Sequence, residues 1–145
     1  MIEHRVRYRA VPAGATTARR AVSTFARSCG FGAVDLADIE CAAGEAVANA
    51  IEHGNRERDY FELHCEFDGT TLAIEVKDRG KGFSEVPAPR LDAAPRLRGW
   101  GIFLMRSLVD RVTFFEGGSG VRLEKKLPVV EDRGARLRAA PKKQG

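Results

Sequence analysis

The segment from Tyr60 to Lys77, "YFELHCEFDGTTLAIEVK", constrains the fold more than any other part of the chain. Phe61, Leu63, Cys65 and Phe67 alternate with Tyr60, Glu62, His64 and Glu66, the period-two pattern of a strand with one buried face. "DGT" turns the chain, and Leu72, Ile74 and Val76 carry a second strand. "RVTFFEGGSGVRLEKKL" reads as another hairpin, around Gly117–Gly120. Hairpins demand antiparallel pairing, so a doubly wound parallel sheet is excluded.

The remaining segments supply helices. "HRVRYRAVP" alternates and ends in proline, which predicts a strand at about 3–11. In "ATTARRAVSTFARSCGFG", Ala18, Val22, Phe25 and Ala26 recur at helical spacing. Thr16 or Thr17 can cap that helix, and Gly30 and Gly32 stop it. "AVDLADIECAAGEAVANAIEHG" is a second helix, with Asp35 as N-cap and Gly54 just past its end. "GWGIFLMRSLVD" is a third, opening on two glycines. Between the hairpin and this helix, residues 84–98 hold three prolines and no clear period, a long loop of the functional kind. The order β-α-α-β-β-loop-α-β-β is that of an α+β protein, a two-layer sandwich with helices on one face of a mixed, mostly antiparallel sheet.

Composition bounds the class. A chain of 145 residues, 43% hydrophobic and 30% charged, can build one soluble domain with its own core. We assign residues 1–128 to that domain and 129–145 to a basic, flexible tail. The net charge is +4, much of it in the tail from Glu131, and the body is near neutral. The tail has no aromatic to stack on bases, so direct nucleic-acid binding is not expected. No apolar run suits a membrane span or a secretory leader, which makes the cytoplasm the expected location. Cys29, Cys41 and Cys65 form no metal-binding or disulfide pattern, and the three histidines are too scattered for a metal site.

Three segments carry polar residues that a plain core would not need. In "GEAVANAIEHG", Glu45 and Asn49 lie four apart on one helical face, with His53 one step further. A solvated surface helix shows such a stripe too, but here Ala42, Ala43, Ala46, Val47 and Ala50 supply a buried face beside it. In "DRGKGF", Asp78 ends a strand and is followed by Gly80, Gly82 and Phe83. A buried carboxylate needs donors, and the exocyclic amine of a purine is one; a simple turn is the alternative. In "RGWGIF", Arg98, Gly99, Gly101 and Ile102 surround a helix start, where exposed N–H groups bind anions. No G-K-[ST] follows, so this is not a Walker loop.

Taken in order, E-x-x-x-N on a helix, D-x-G-x-G after a strand and G-x-G before a helix resemble the Bergerat (GHKL) ATP-binding fold of gyrase, histidine kinases and MutL. The likeness spans about residues 40–125. The small size and "GEAVANAIEHG" resemble its anti-sigma factor serine kinases, of the RsbW and SpoIIAB type. The resemblance implies ATP and Mg²⁺ as cofactors, with Glu45 as general base and Asn49 as the Mg²⁺ ligand. It makes Asp78 the adenine reader, Gly80, Gly82 and Phe83 part of the base pocket, and Gly99, Gly101 and Ile102 part of the phosphate site. Residues 84–98 become an ATP lid, within which Arg98 either clamps a γ-phosphate or is a solvated arginine; Arg90 and Arg96 rank below it. Ser119 corresponds to a residue that helps hold the adenine aspartate. His53 closes its helix, and Trp100 covers the pocket or packs on the sheet. The implied partners are a STAS-type anti-anti-sigma protein, a sigma factor or other regulator, and a second copy of the chain, with Arg19 and Arg20 on a candidate partner surface. The alternatives are a non-catalytic ATP-dependent switch and a stand-alone histidine-kinase-like ATPase domain.

Overall fold

The computed structural model describes residues 1–54, 60–78 and 100–129. Its elements follow the expected order: β1 (Ile2–Arg9), α1 (Pro12–Ser28), α2 (Ala33–Gly54), β2 (Tyr60–Phe67), β3 (Thr71–Lys77), α3 (Trp100–Leu108), β4 (Arg111–Phe115) and β5 (Gly120–Lys126), with a single 3₁₀ turn at Glu116–Gly118 joining the last two strands. The five strands lie in the order β1-β2-β3-β5-β4. Every neighbouring pair is antiparallel, so the sheet expected to be mixed is antiparallel throughout the described strands.

Strand alternation decides which face is covered. Phe61, Leu63, Cys65 and Phe67 of β2 are buried, as are Leu72, Ile74 and Val76 of β3 and Val121 and Leu123 of β5. α1, α2 and α3 cover this face. They contribute Val22, Phe25 and Ala26, then Ile39, Ala43, Ala46 and Val47, then Ile102 and Met105. Each large side chain so buried contributes about 1.5–3 kcal/mol. Tyr8 stacks on Phe61 with centroids 5.7 Å apart, and Phe31 meets Phe67 edge-on at 6.3 Å. The opposite sheet face carries charged side chains, as the polar half of each alternation requires.

Helix ends differ in detail from the sequence expectation. α1 begins at Pro12, whose fixed φ suits a first helical position, after an extended Val11. Thr16 and Thr17 therefore do not cap it. They sit one turn inside and donate back to the Pro12 and Ala13 carbonyls, at 3.2 and 3.0 Å. α1 ends as expected at Gly30, whose φ of +102° is left-handed and lets the Phe31 N–H return to the Ala26 carbonyl at 3.3 Å. Asp35 lies in the first turn of α2, where its charge suits the helix dipole, instead of at the N-cap, and Gly54 is the last residue of α2. At the far end of α3, Lys125 donates to the Leu108 carbonyl at 2.9 Å. Residues 130–145, nearly all of the expected basic tail, lie outside the described residues. Among the described residues, no helix is long and apolar enough to cross a membrane.

Candidate functional site

α2 and α3 bring the first and third motifs together. α2 turns its alanine stripe to the core, which leaves Glu45 and Asn49 half-buried on the flank facing α3. The first turn of α3 comes so close that a Cβ on Gly101 would stand 2.7 Å from Glu45 Oε2 and 3.8 Å from Asn49 Nδ2. Glycine there lets the helix start and the Glu45 carboxylate keep these positions; any side chain would displace the carboxylate. The positive end of the α3 dipole thus lies beside the Glu45 carboxylate. Ile102 turns the other way and is buried in the core, anchoring the turn.

The second motif sits at the end of β3. Asp78 is 7% exposed, and its backbone N–H donates to the Ser119 carbonyl at 2.9 Å. Ser119 is buried as well, and its hydroxyl donates to the Glu116 carbonyl at 3.0 Å. The expected neighbourhood of Asp78 and Ser119 is thus made through the main chain. A cavity of about 460 Å³ opens beside them, lined also by Arg7, Tyr60, Lys77 and Glu116. Lys77 and Glu116 close into an ion pair at 2.8 Å, and this hydrogen-bonded partner raises the Lys77 pKa above its ordinary value. Arg7 stacks over the Tyr60 ring at 4.4 Å. These four residues escaped the sequence reading. Alternation marks Tyr60 and Lys77 only as the polar phase of β2 and β3, and nothing local joins them to Arg7 or Glu116.

A groove of about 620 Å³ runs between α1 and α2. Thr16, Arg19, Cys41, Gly44 and Ile51 line it, and it reaches Glu45. Glu45 thus borders both this groove and the start of α3. Trp100 packs edge-on against Phe103, with centroids 5.7 Å apart, at the start of α3. His53 lies in the last turn of α2. Gly80, Gly82, Phe83, Arg98 and Gly99, with Arg90, Arg96 and the expected lid at 84–98, lie outside the described residues.

A helix-borne acid and amide set against a helix N-terminus suit an anion and its cation, and sequence comparison gives the class. The chain belongs to the histidine kinase-like ATPase domain family, whose model matches residues 8–125. Within that family it is similar to anti-sigma F factors: 30% identical over 123 residues to that of Clostridium botulinum, covering 78% of this chain and 86% of the relative. The anti-sigma F factor of Clostridium novyi is 32% identical over 124 residues, with 79% and 87% covered. The serine-protein kinase RsbW of Oceanobacillus iheyensis is 28% identical over 110 residues, with 66% and 67% covered. A crystal structure of RsbU and RsbW domains from Mycobacterium tuberculosis superposes with a TM-score of 0.62 at 21% identity. It covers 87% of this chain, which spans 32% of that longer one. The anti-sigma F factor and RsbW relatives place the chain in the anti-sigma factor branch of that ATPase family.

Proposed function

We propose that the protein is a Mg²⁺- and ATP-dependent serine/threonine kinase that phosphorylates a STAS-type anti-anti-sigma partner and controls a sigma factor by exchanging the two. The observation that carries this reading is the convergence of Glu45, Asn49 and Gly101. With no side chain at Gly101, the first turn of α3 lies directly against an acid and an amide. Those groups suit a phosphate with its cation: an amide oxygen is a Mg²⁺ ligand, and a helix N-terminus takes phosphate oxygens. Asn49 would hold the cation, which when bound screens phosphate charge. Gly99 and Gly101 would let phosphates approach the α3 backbone, and Asp78 would accept from the adenine amine.

Glu45 has the role that separates a kinase from a binding module. The groove between α1 and α2, which Glu45 helps to line, would bring a partner's hydroxyl to this residue. Glu45 then orients the hydroxyl and accepts its proton as the oxygen attacks the terminal phosphorus, and the bond to the leaving diphosphate breaks. Arg19 and Arg20 on the exposed face of α1 flank the groove region and suit an acidic partner surface.

The test is phosphotransfer from labelled ATP with Mg²⁺ to STAS-domain proteins of the same source. Glu45→Gln keeps shape and removes the base. It is expected to lower transfer about 10²–10⁴-fold with ATP binding retained, while Asn49→Ala loses Mg²⁺-dependent nucleotide binding. Equal labelling by Glu45→Gln would remove Glu45 from the chemistry. ATP binding with no labelled partner would leave a nucleotide-dependent binding switch in place of the kinase.

A further inference from the structure

The sheet face turned away from the helices carries a second cluster of metal-ligating groups, and the strand register explains how it arises. Two rows of side chains cross the sheet on this face. One row runs Arg5–His64–Glu75–Arg122 across β1, β2, β3 and β5; the next runs Glu3–Glu66–Ala73–Glu124. The first row sets Glu75 between His64 and Arg122. The second sets Glu3 directly opposite Glu66, a cross-strand pairing of like charges that costs stability unless a cation lies between. Arg122 reaches across the small Ala73 to Glu66 at 3.0 Å and also faces Glu75 at 3.6 Å and Glu124 at 3.7 Å. One guanidinium is thus divided among three carboxylates, and Glu3 is not among them.

His64 completes the arrangement. Its Nδ1 lies 3.2 Å from Glu75 Oε1 and 3.4 Å from Arg5 Nη2. A guanidinium only donates, so these two contacts require opposite tautomers. The shorter one, to a carboxylate, selects Nδ1–H and leaves a bare lone pair on Nε2. That Nε2 is buried and has no hydrogen-bond partner. It lies 3.6 Å from Glu3 Oε1, too far for a hydrogen bond. Two ligands of a tetrahedral Zn²⁺, each at about 2.0–2.2 Å, stand about 3.4 Å apart. Ligand atoms of Glu3, His64 and Glu66 all fall within 4.8 Å of one another.

We propose that Glu3, His64 and Glu66 form a binding site for a borderline divalent ion of the Zn²⁺ class. Imidazole nitrogen with two carboxylates is a Zn²⁺ donor set, and Glu75 on His64 Nδ1 is the outer carboxylate that fixes the tautomer of a metal-bound imidazole. The ion replaces the Glu3–Glu66 repulsion with a bridge, and so ties the edge strand β1 to β2. The site lies on the sheet face opposite the one that α1, α2 and α3 cover, so it is distinct from the nucleotide site on α2 and α3 and independent of the kinase reading.

The experiment is Zn²⁺ titration of the full-length, tag-free, nucleotide-free chain after chelator treatment, followed by calorimetry and thermal melting, with Co²⁺ absorption as a report on the ligand field. One ion per chain is expected, with a rise in Tm that a chelator reverses. His64→Gln is expected to abolish both, and Glu3→Gln to weaken binding at least about 10-fold, by the scale of lost outer partners alone. Glu3 is exposed, so its variant keeps the fold if His64→Gln does not. Glu75→Gln is expected to weaken binding about 10–100-fold. His4→Gln and His53→Gln are expected to bind as the parent does. Absence of binding overturns the proposal, as does binding that survives in Glu3→Gln and His64→Gln or is lost in His53→Gln.

Discussion

Gly101 shows how much a single residue can decide. A methyl group there would meet the far end of the Glu45 side chain, which can rotate away, and not fixed backbone. Alanine also improves on glycine inside a helix by about 0.8–1 kcal/mol. Gly101→Ala is therefore expected to leave Tm unchanged or raised while it displaces the Glu45 carboxylate and lowers phosphotransfer at least about 10-fold. Melting and labelled-ATP assays on one preparation check both halves. A parallel loss of stability and activity would mean that α3 shifts instead of the carboxylate. Glu45, Asn49 and Gly101 were legible in the sequence, because a spacing of four on a helix and a glycine at a helix start are local facts. Lys77–Glu116 and Arg7–Tyr60 were not, because each pair joins segments that are distant in sequence.

At the scale of elements, the turn between β2 and β3 is built on one carboxylate. Asp68 accepts from the Thr71 N–H at 2.8 Å, the Thr70 N–H at 2.8 Å and the Thr70 hydroxyl at 2.9 Å. These bonds favour the ionised form, led by that from the Thr71 N–H, and hold its pKa below the ordinary 3.8. A depressed folded-state pKa adds stability that is present above the unfolded value and is lost as pH falls through the folded one. Asp68→Asn is therefore expected to melt below the parent at neutral pH, with the gap narrowing below about pH 4. Melting curves from pH 7 to 2 check this, and a constant gap would exclude the ionised turn. Both hairpins were readable from alternation and turn chemistry. The start of α1 was not, because proline at the first helical position competes with threonine capping, and the backbone geometry after β1 favoured the proline.

Across the whole molecule, stability depends on the layer between the sheet and the three helices. Phe61 is fully buried there and stacks on Tyr8 of the edge strand. Phe61→Ala is expected to cost about 3–5 kcal/mol, measured by denaturant unfolding; a cost under about 1 kcal/mol would mean that the layer collapses around the gap. The sequence by itself determined the element order, the antiparallel pairing within the two hairpins, the buried phase of each strand and the placement of the acid–amide stripe. All of these rest on periods of two and 3.6 residues and on turn chemistry, which act over a few positions. Only the tertiary structure decided that α3 approaches α2 closely enough to set Gly101 against the Glu45 carboxylate, that Asp78 meets Ser119, and that Glu3 and Glu66 face one another beside His64. Those contacts depend on strand order and register, which are set by how one whole face buries against another, and no local spacing records that choice.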